Sequence, residues 1–186
     1  MKLLCLGDSL TEGYEIDKSV RWTDLLANKL EIEIFNCGIS GDTTAGMLAR
    51  CTQLLEQYNP THLLIFGGTN DLFFGLNDEL ILSNIHAMTR QARYLEVESL
   101  IGIPTLSMNL SELNLVEENY SECIRSFRNT LIKYCKKEER LFIDFAINMK
   151  HIHFLEDGIH PNELGQDVMM HNVMKSITEL LKFDSI

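Results

Sequence analysis

The chain has 186 residues, 45% of them hydrophobic and 23% charged, which is enough to bury a substantial core as one domain spanning residues 1–186. Its formal net charge of −11 argues against a nucleic-acid partner, which needs a basic footprint, and against electrostatic docking on an anionic membrane. No apolar run approaches the roughly 20 residues needed to cross a bilayer, so stable membrane insertion is not expected.

In chain order, residues 3–6 read as a first buried strand that runs straight into Gly7-Asp8-Ser9-Leu10. This apolar start is shorter than the roughly 7–15 residues of a signal-peptide core, so it reads as structure and not as a targeting segment. Residues 20–30 carry Trp22, Leu25, Leu26 and Leu30 at helical spacing, and residues 31–37 are strand-like. Thr43 or Thr44 is placed to cap a helix bearing Met47, Leu48, Cys51, Leu54 and Leu55, which Asn59-Pro60 stops. Residues 63–66 form a third strand. Asn77 or Asp78 opens a helix with Leu80, Ile81, Ile85 and Met88. A fourth strand, 100–103, ends at Pro104. A long amphipathic helix, Tyr120–Lys137, precedes a fifth strand at 141–145, and a final helix is expected over 161–183 with Pro161 in its first turn.

Strands alternating with helices imply an α/β fold, a parallel sheet covered on both faces. The connections 105–119 and 146–160 are its longest loops. The five cysteines (Cys5, Cys37, Cys51, Cys123 and Cys135) are an odd number without a CxxC spacing. They read as buried reduced thiols, which points to a cytoplasmic location.

Four short motifs carry the chemistry. Ser9 follows strand one, Gly41 lies after strand two, Asn70 after strand three, and Asp157 and His160 after strand five. In an open parallel sheet, ligands bind outside the carboxyl ends of the strands, so all five residues fall on one edge. A serine hydroxyl is a poor nucleophile until a base takes its proton. His160 suits that task near neutral pH, and Asp157, three residues earlier, can fix its tautomer. The Gly41 N–H and the neutral Asn70 carboxamide are donors suited to an oxyanion. Taken alone, each has an ordinary explanation: Ser9 or Asp157 as a helix cap, Gly41 and Asn70 as turn residues. Phe73, Phe74, Met108 and Phe154 sit on loops at the same edge and either line an acyl groove or pack the loops. His151 and His153 form an HxH pair, a weak metal signal that would leave Ser9, Gly41 and Asn70 without a role.

At these residues the chain resembles the SGNH hydrolases, or GDSL-type esterases and lipases. Gly7-Asp8-Ser9-Leu10, the stretch 36–43 around Gly41, Gly68-Thr69-Asn70-Asp71 and Asp157-Gly158-Ile159-His160 match that family's four blocks in order. The second block looks most like the thioesterase/lysophospholipase branch of small bacterial members. The resemblance implies a flavodoxin-like, three-layer α/β/α sandwich with a five-stranded parallel sheet of order 2-1-3-4-5. It also implies a Ser9, Asp157, His160 triad and an oxyanion hole from the Ser9 and Gly41 amides and the Asn70 side chain. The expected function is serine-dependent ester or thioester hydrolysis through an acyl-enzyme, on a small acyl substrate and without cofactor or metal. Two rivals are a phosphoryl-transfer protein using Asp8 and a non-catalytic binding module on the same fold.

Overall fold

Successive strand residues point to opposite faces, and in this chain both faces are apolar. A computed structural model, which describes residues 1–183 and their side chains to residue 178, shows where they go. Strands β1 (Lys2–Gly7), β2 (Glu33–Gly38), β3 (His62–Phe66), β4 (Glu98–Ile103) and β5 (Leu141–Asp144) form one sheet. Its order is β2-β1-β3-β4-β5, and every pairing is parallel. Leu4, Leu6, Leu63, Ile65, Ile101 and Ile103 face one core, shared with Met47, Cys51, Ile81, Ile85, Met88, Ile124, Phe127 and Leu131. Leu3, Cys5, Leu64, Phe66, Leu100 and Ile143 face the other, with Trp22, Leu26, Met169, Val173 and Ile177. The first core therefore lies under helices α3 (Thr44–Tyr58), α5 (Asp78–Tyr94) and α6 (Tyr120–Lys137), and the second under α2 (Trp22–Leu30) and α7 (Glu163–Phe183). This is the expected three-layer sandwich. Burial on both faces is why the inner strands β1, β3 and β4 read as apolar runs.

Two short helices were not anticipated: α1 (Ser9–Glu12) and α4 (Thr69–Phe73). Each is a single turn attached directly to a strand end, too brief for a hydrophobic period to show. Several boundaries also shift. The second helix begins at Trp22, because residues 18–20 form a 3-10 turn and Arg21 is extended. The strand after it begins at Glu33, because Glu31 closes α2 in the left-handed region with φ 53°. The last helix begins at Glu163 and not at Pro161. Pro161 instead forms an antiparallel bridge with Phe154, and Asn162 accepts the Gly165 N–H at 3.1 Å in the manner of an N-cap.

The glycines at the strand ends let α1 settle onto the sheet. A Cβ on Gly7 would lie 2.1 Å from Thr11 Oγ1, and one on Gly38 would lie 2.2 Å from the Glu12 backbone nitrogen. The long loop after β4 is stitched down as well. Asn114 accepts the Val116 and Glu118 N–H groups and donates to Leu72 O, while Met108 N–H donates to Gly158 O at 2.7 Å. The loop of residues 105–119 is thereby tied both to α4 and to the loop bearing Asp157.

Candidate active site

Asp8 begins the site. It caps α1, its Oδ1 accepting the Leu10 N–H at 2.9 Å, and its Oδ2 accepts the Thr69 hydroxyl at 3.0 Å. One carboxylate thus joins the first motif to the third. Asp8 is fully buried, and that burial pushes its pKa up to about 6, against the opposing pull of its hydrogen bonds to Leu10 and Thr69. Enclosure with both oxygens engaged leaves no approach for a phosphoryl donor, which removes the physical basis for the Asp8 alternative.

Ser9 follows as the first residue of α1 and is 7% exposed. Its Oγ lies 2.9 Å from His160 Nε2. His160 Nδ1 lies 2.6 Å from Asp157 Oδ2, and Asp157 Oδ1 accepts the Ile159 and His160 backbone N–H groups at 2.8 and 2.9 Å. Burial alone would raise the Asp157 pKa. The hydrogen bonds from the His160 ring, His160 N–H and Ile159 N–H outweigh it, and the net shift is downward. Asp157 is therefore a carboxylate at neutral pH, held so that the His160 nitrogen facing Ser9 is an acceptor. Residues 151 positions apart in sequence meet through this chain.

Gly41 sits in the loop after β2 at φ +79°, with open space where a side chain would project, a conformation that glycine adopts at little cost. Glu12, from α1, accepts both the N–H and the hydroxyl of Ser40, fixing the peptide just before it. Asn70 is in the first turn of α4, and its Nδ2 donates to Asp42 O at 2.9 Å. That bond uses one amide hydrogen and leaves the carboxamide a second. Asp71 is buried and accepts both the N–H and the hydroxyl of Thr44, and Tyr120 O–H donates to Thr69 O at 3.0 Å.

The apolar candidates divide. Phe74 is 49% exposed, whereas Phe73 packs against the core and meets Tyr120 edge-on. Met108 is half-buried. Phe154 is 6% exposed and its backbone bridges to Pro161, so it offers little free surface. His151 is exposed, and His153 Nδ1 accepts the Lys150 N–H at 3.0 Å. Among the described residues no group of three or more His, Cys, Asp or Glu side chains could hold a metal ion. All five cysteines are free, with Cys37 and Cys123 only half-buried and the other three enclosed.

Sequence reasoning missed Glu12, Tyr14 and Arg50. The Tyr14 ring lies 4.4 Å from that of His160. The first two fall within one helical turn and a half of Ser9, which was the available signal. Arg50, two turns into α3, gave none.

A serine, an imidazole and a carboxylate in hydrogen-bonded series beside unspent N–H donors can carry out acyl transfer. Comparisons agree with that chemistry. The family model for the GDSL-like lipase/acylhydrolase family matches residues 5–168. An arylesterase of Vibrio mimicus is 30% identical, aligning over 97% of this chain and 90% of its own length. Thioesterase 1/protease 1/lysophospholipase L1 of Escherichia coli K12 is 29% identical over 98% of this chain and 86% of its own. The crystal structure of the psychrotrophic esterase EstA from Pseudoalteromonas, inhibited by monoethylphosphonate, superposes with TM-score 0.80 at 26% identity, covering 97% of this chain and 98% of that one. The chain belongs to the GDSL-like lipase/acylhydrolase family and is a carboxylic ester hydrolase.

Proposed function

We propose that this chain hydrolyses small acyl esters and thioesters through an acyl-enzyme formed on Ser9. The reading rests on one observation: the unbroken series Asp157 Oδ2, His160 ring, Ser9 Oγ, with links of 2.6 and 2.9 Å. His160 takes the Ser9 proton as Oγ attacks the acyl carbonyl. The Ser9 and Gly41 N–H groups and the free Asn70 amide hydrogen hold the oxyanion. His160 then protonates the departing alcohol or thiol and activates the water that releases the acid. Each role falls to a protein group, so neither metal nor cofactor is required.

The relatives support this substrate class, since one is named an arylesterase and another a thioesterase and lysophospholipase. The phosphonate-inhibited esterase supports a serine nucleophile, because reactive phosphonates phosphonylate activated serine hydroxyls, the hydroxyl oxygen bonding to phosphorus as a leaving group departs. Among the described residues no helix is long and apolar enough to cross a membrane. Free thiols enclosed in both cores suit a reducing compartment, and we place the enzyme in the cytoplasm as a single domain. Fluorophosphonate labelling followed by mass spectrometry tests the mechanism. Adduct on Ser9, with loss of labelling and turnover in Ser9→Ala, is the expected result. Adduct on another serine from active enzyme, or full turnover by Ser9→Ala, would sink it.

A further inference from the structure

The proposed oxyanion hole draws its donors from three separate segments, and nothing in the triad explains what keeps them in register. The Arg50 guanidinium touches the support of each. Its Nη2 donates to Gly7 O at 2.9 Å, two residues before Ser9. Its Nη1 donates to Cys37 O at 2.7 Å, at the end of β2, where the loop bearing Gly41 begins. Its Nε donates to Asp42 Oδ2 at 2.9 Å, and Nη2 pairs with the same oxygen at 2.8 Å. Asp42 follows Gly41 directly, and its backbone carbonyl is the acceptor that orients the Asn70 carboxamide. The Arg50 side chain is 20% exposed and that of Asp42 13%, so the pair is only lightly screened by solvent.

We propose that Arg50 is a positioning residue for the oxyanion hole, registering the Ser9, Gly41 and Asn70 donors against one another through Gly7, Cys37 and Asp42. The inference rests on the hydrolytic reading above. Arg50 touches no reacting atom; it acts through the strand ends and through Asp42. Its planar fork of N–H donors is what the task needs, because it serves two carbonyls and a carboxylate from one rigid plane. The lysine ammonium is a point charge with different donor directions. Gly46 bears on the same contact from the other side. A Cβ there would lie 1.9 Å from Asp42 Oδ1, so the carboxylate keeps its place only while residue 46 lacks a side chain.

Misplacing donors by about an ångström costs up to about 10²-fold in turnover, and the transition state feels it far more than bound substrate does. The test is steady-state hydrolysis of p-nitrophenyl acetate by Arg50→Lys and Gly46→Ala, with kcat expressed per fluorophosphonate-titrated site. Arg50→Lys is expected to lower kcat by about 10- to 10²-fold and to move KM by less than about threefold. Gly46→Ala, which removes no charge, is expected to give the same pattern. In an Asn70→Ala background the Arg50→Lys effect is expected to shrink several-fold, because part of what Arg50 positions is already gone. A folded Arg50→Lys with kcat within about twofold of wild type overturns the proposal. So does full multiplicativity with Asn70→Ala. If Arg50→Lys does not fold, Gly46→Ala decides, and unchanged kcat there overturns it. An inactive Ser9→Ala beside a fully active Arg50→Lys defeats this inference alone, whereas an active Ser9→Ala defeats the hydrolytic reading beneath it.

Discussion

Replacing Asp8 with asparagine should flatten the acid side of the stability profile. Asp8 is enclosed, and burial lifts its pKa from the ordinary carboxylate range to about 6. In the unfolded chain it returns to about 3.9. Between those two values the folded protein holds a proton that the unfolded chain has released. Stability contributed at this site is therefore fully present below about pH 3.9, and is lost as pH rises through about 6. A shift of about two units at 1.36 kcal/mol each puts the cost of the charged form at about 3 kcal/mol. Asparagine keeps an oxygen for the Leu10 N–H, but the Thr69 hydroxyl must turn from donor to acceptor, which offsets about 1 kcal/mol. The difference in unfolding free energy, Asp8→Asn minus wild type, should thus grow by about 3 kcal/mol from pH 4 to pH 7 and then level off. Urea unfolding at one-unit steps measures it, and the low Asp157 pKa cancels because both proteins share it. A difference that stays flat across this range would mean that Asp8 is ionised in the fold at no cost, and the burial argument would fail.

Asn70→Ala should lower kcat by about 10²- to 10³-fold with little change in KM, since a donor to the oxyanion acts chiefly in the transition state; near wild-type kcat from folded protein would leave Asn70 a turn residue. Across p-nitrophenyl esters from acetate to palmitate, turnover should peak at short chains. The reason is that Phe73 and Phe154 are spent on packing while Phe74, 49% exposed, offers only a shallow surface. A maximum at palmitate would contradict that groove while leaving the mechanism untouched.

The inner strands β1, β3 and β4 were legible because they are buried on both faces along most of their length and so appear as apolar runs between turn residues, while the edge strands β2 and β5 are more exposed. Helix boundaries were readable where a side chain caps them, as Thr43 and Asn77 do. One slipped where backbone geometry alone decides, at Glu31 with φ 53°, and another where Pro161 is drawn into a bridge with Phe154 and the cap passes to Asn162. The five candidate site residues were legible because each stands in a short motif after a strand, and topology alone sends those points to one edge. Packing was not legible at this level. Phe73, Phe74 and Phe154 are chemically alike, yet the fold exposes one and buries another. Whether a loop phenylalanine faces solvent depends on contacts such as Asn114 with Leu72, whose partners lie 42 positions apart.

The same limit explains why Arg50 escaped notice, and it says something about how such a site is built. Ser9, Asp157 and His160 are read from sequence because each stands in a short, recognisable motif after a strand. The groups that align them are ordinary: a buried aspartate, a threonine, an arginine on a helix. Their partners are carbonyls and carboxylates that any sequence contains. What sets them apart is that each bond crosses between motifs. Asp8 joins the first motif to the third through Thr69, Glu12 joins the first to the second through Ser40, and Asp42 joins the second to the third through Asn70. Each of the first three motifs is thus tied to the other two, and displacement of one of their strand ends strains two connections at once. Preorganised donors stabilise developing charge without reorganising at the moment of reaction. A site assembled from separate loops can meet that condition only if the loops are braced against one another, and the bonds from Thr69 to Asp8, from Ser40 to Glu12 and from Asn70 to Asp42 run between them.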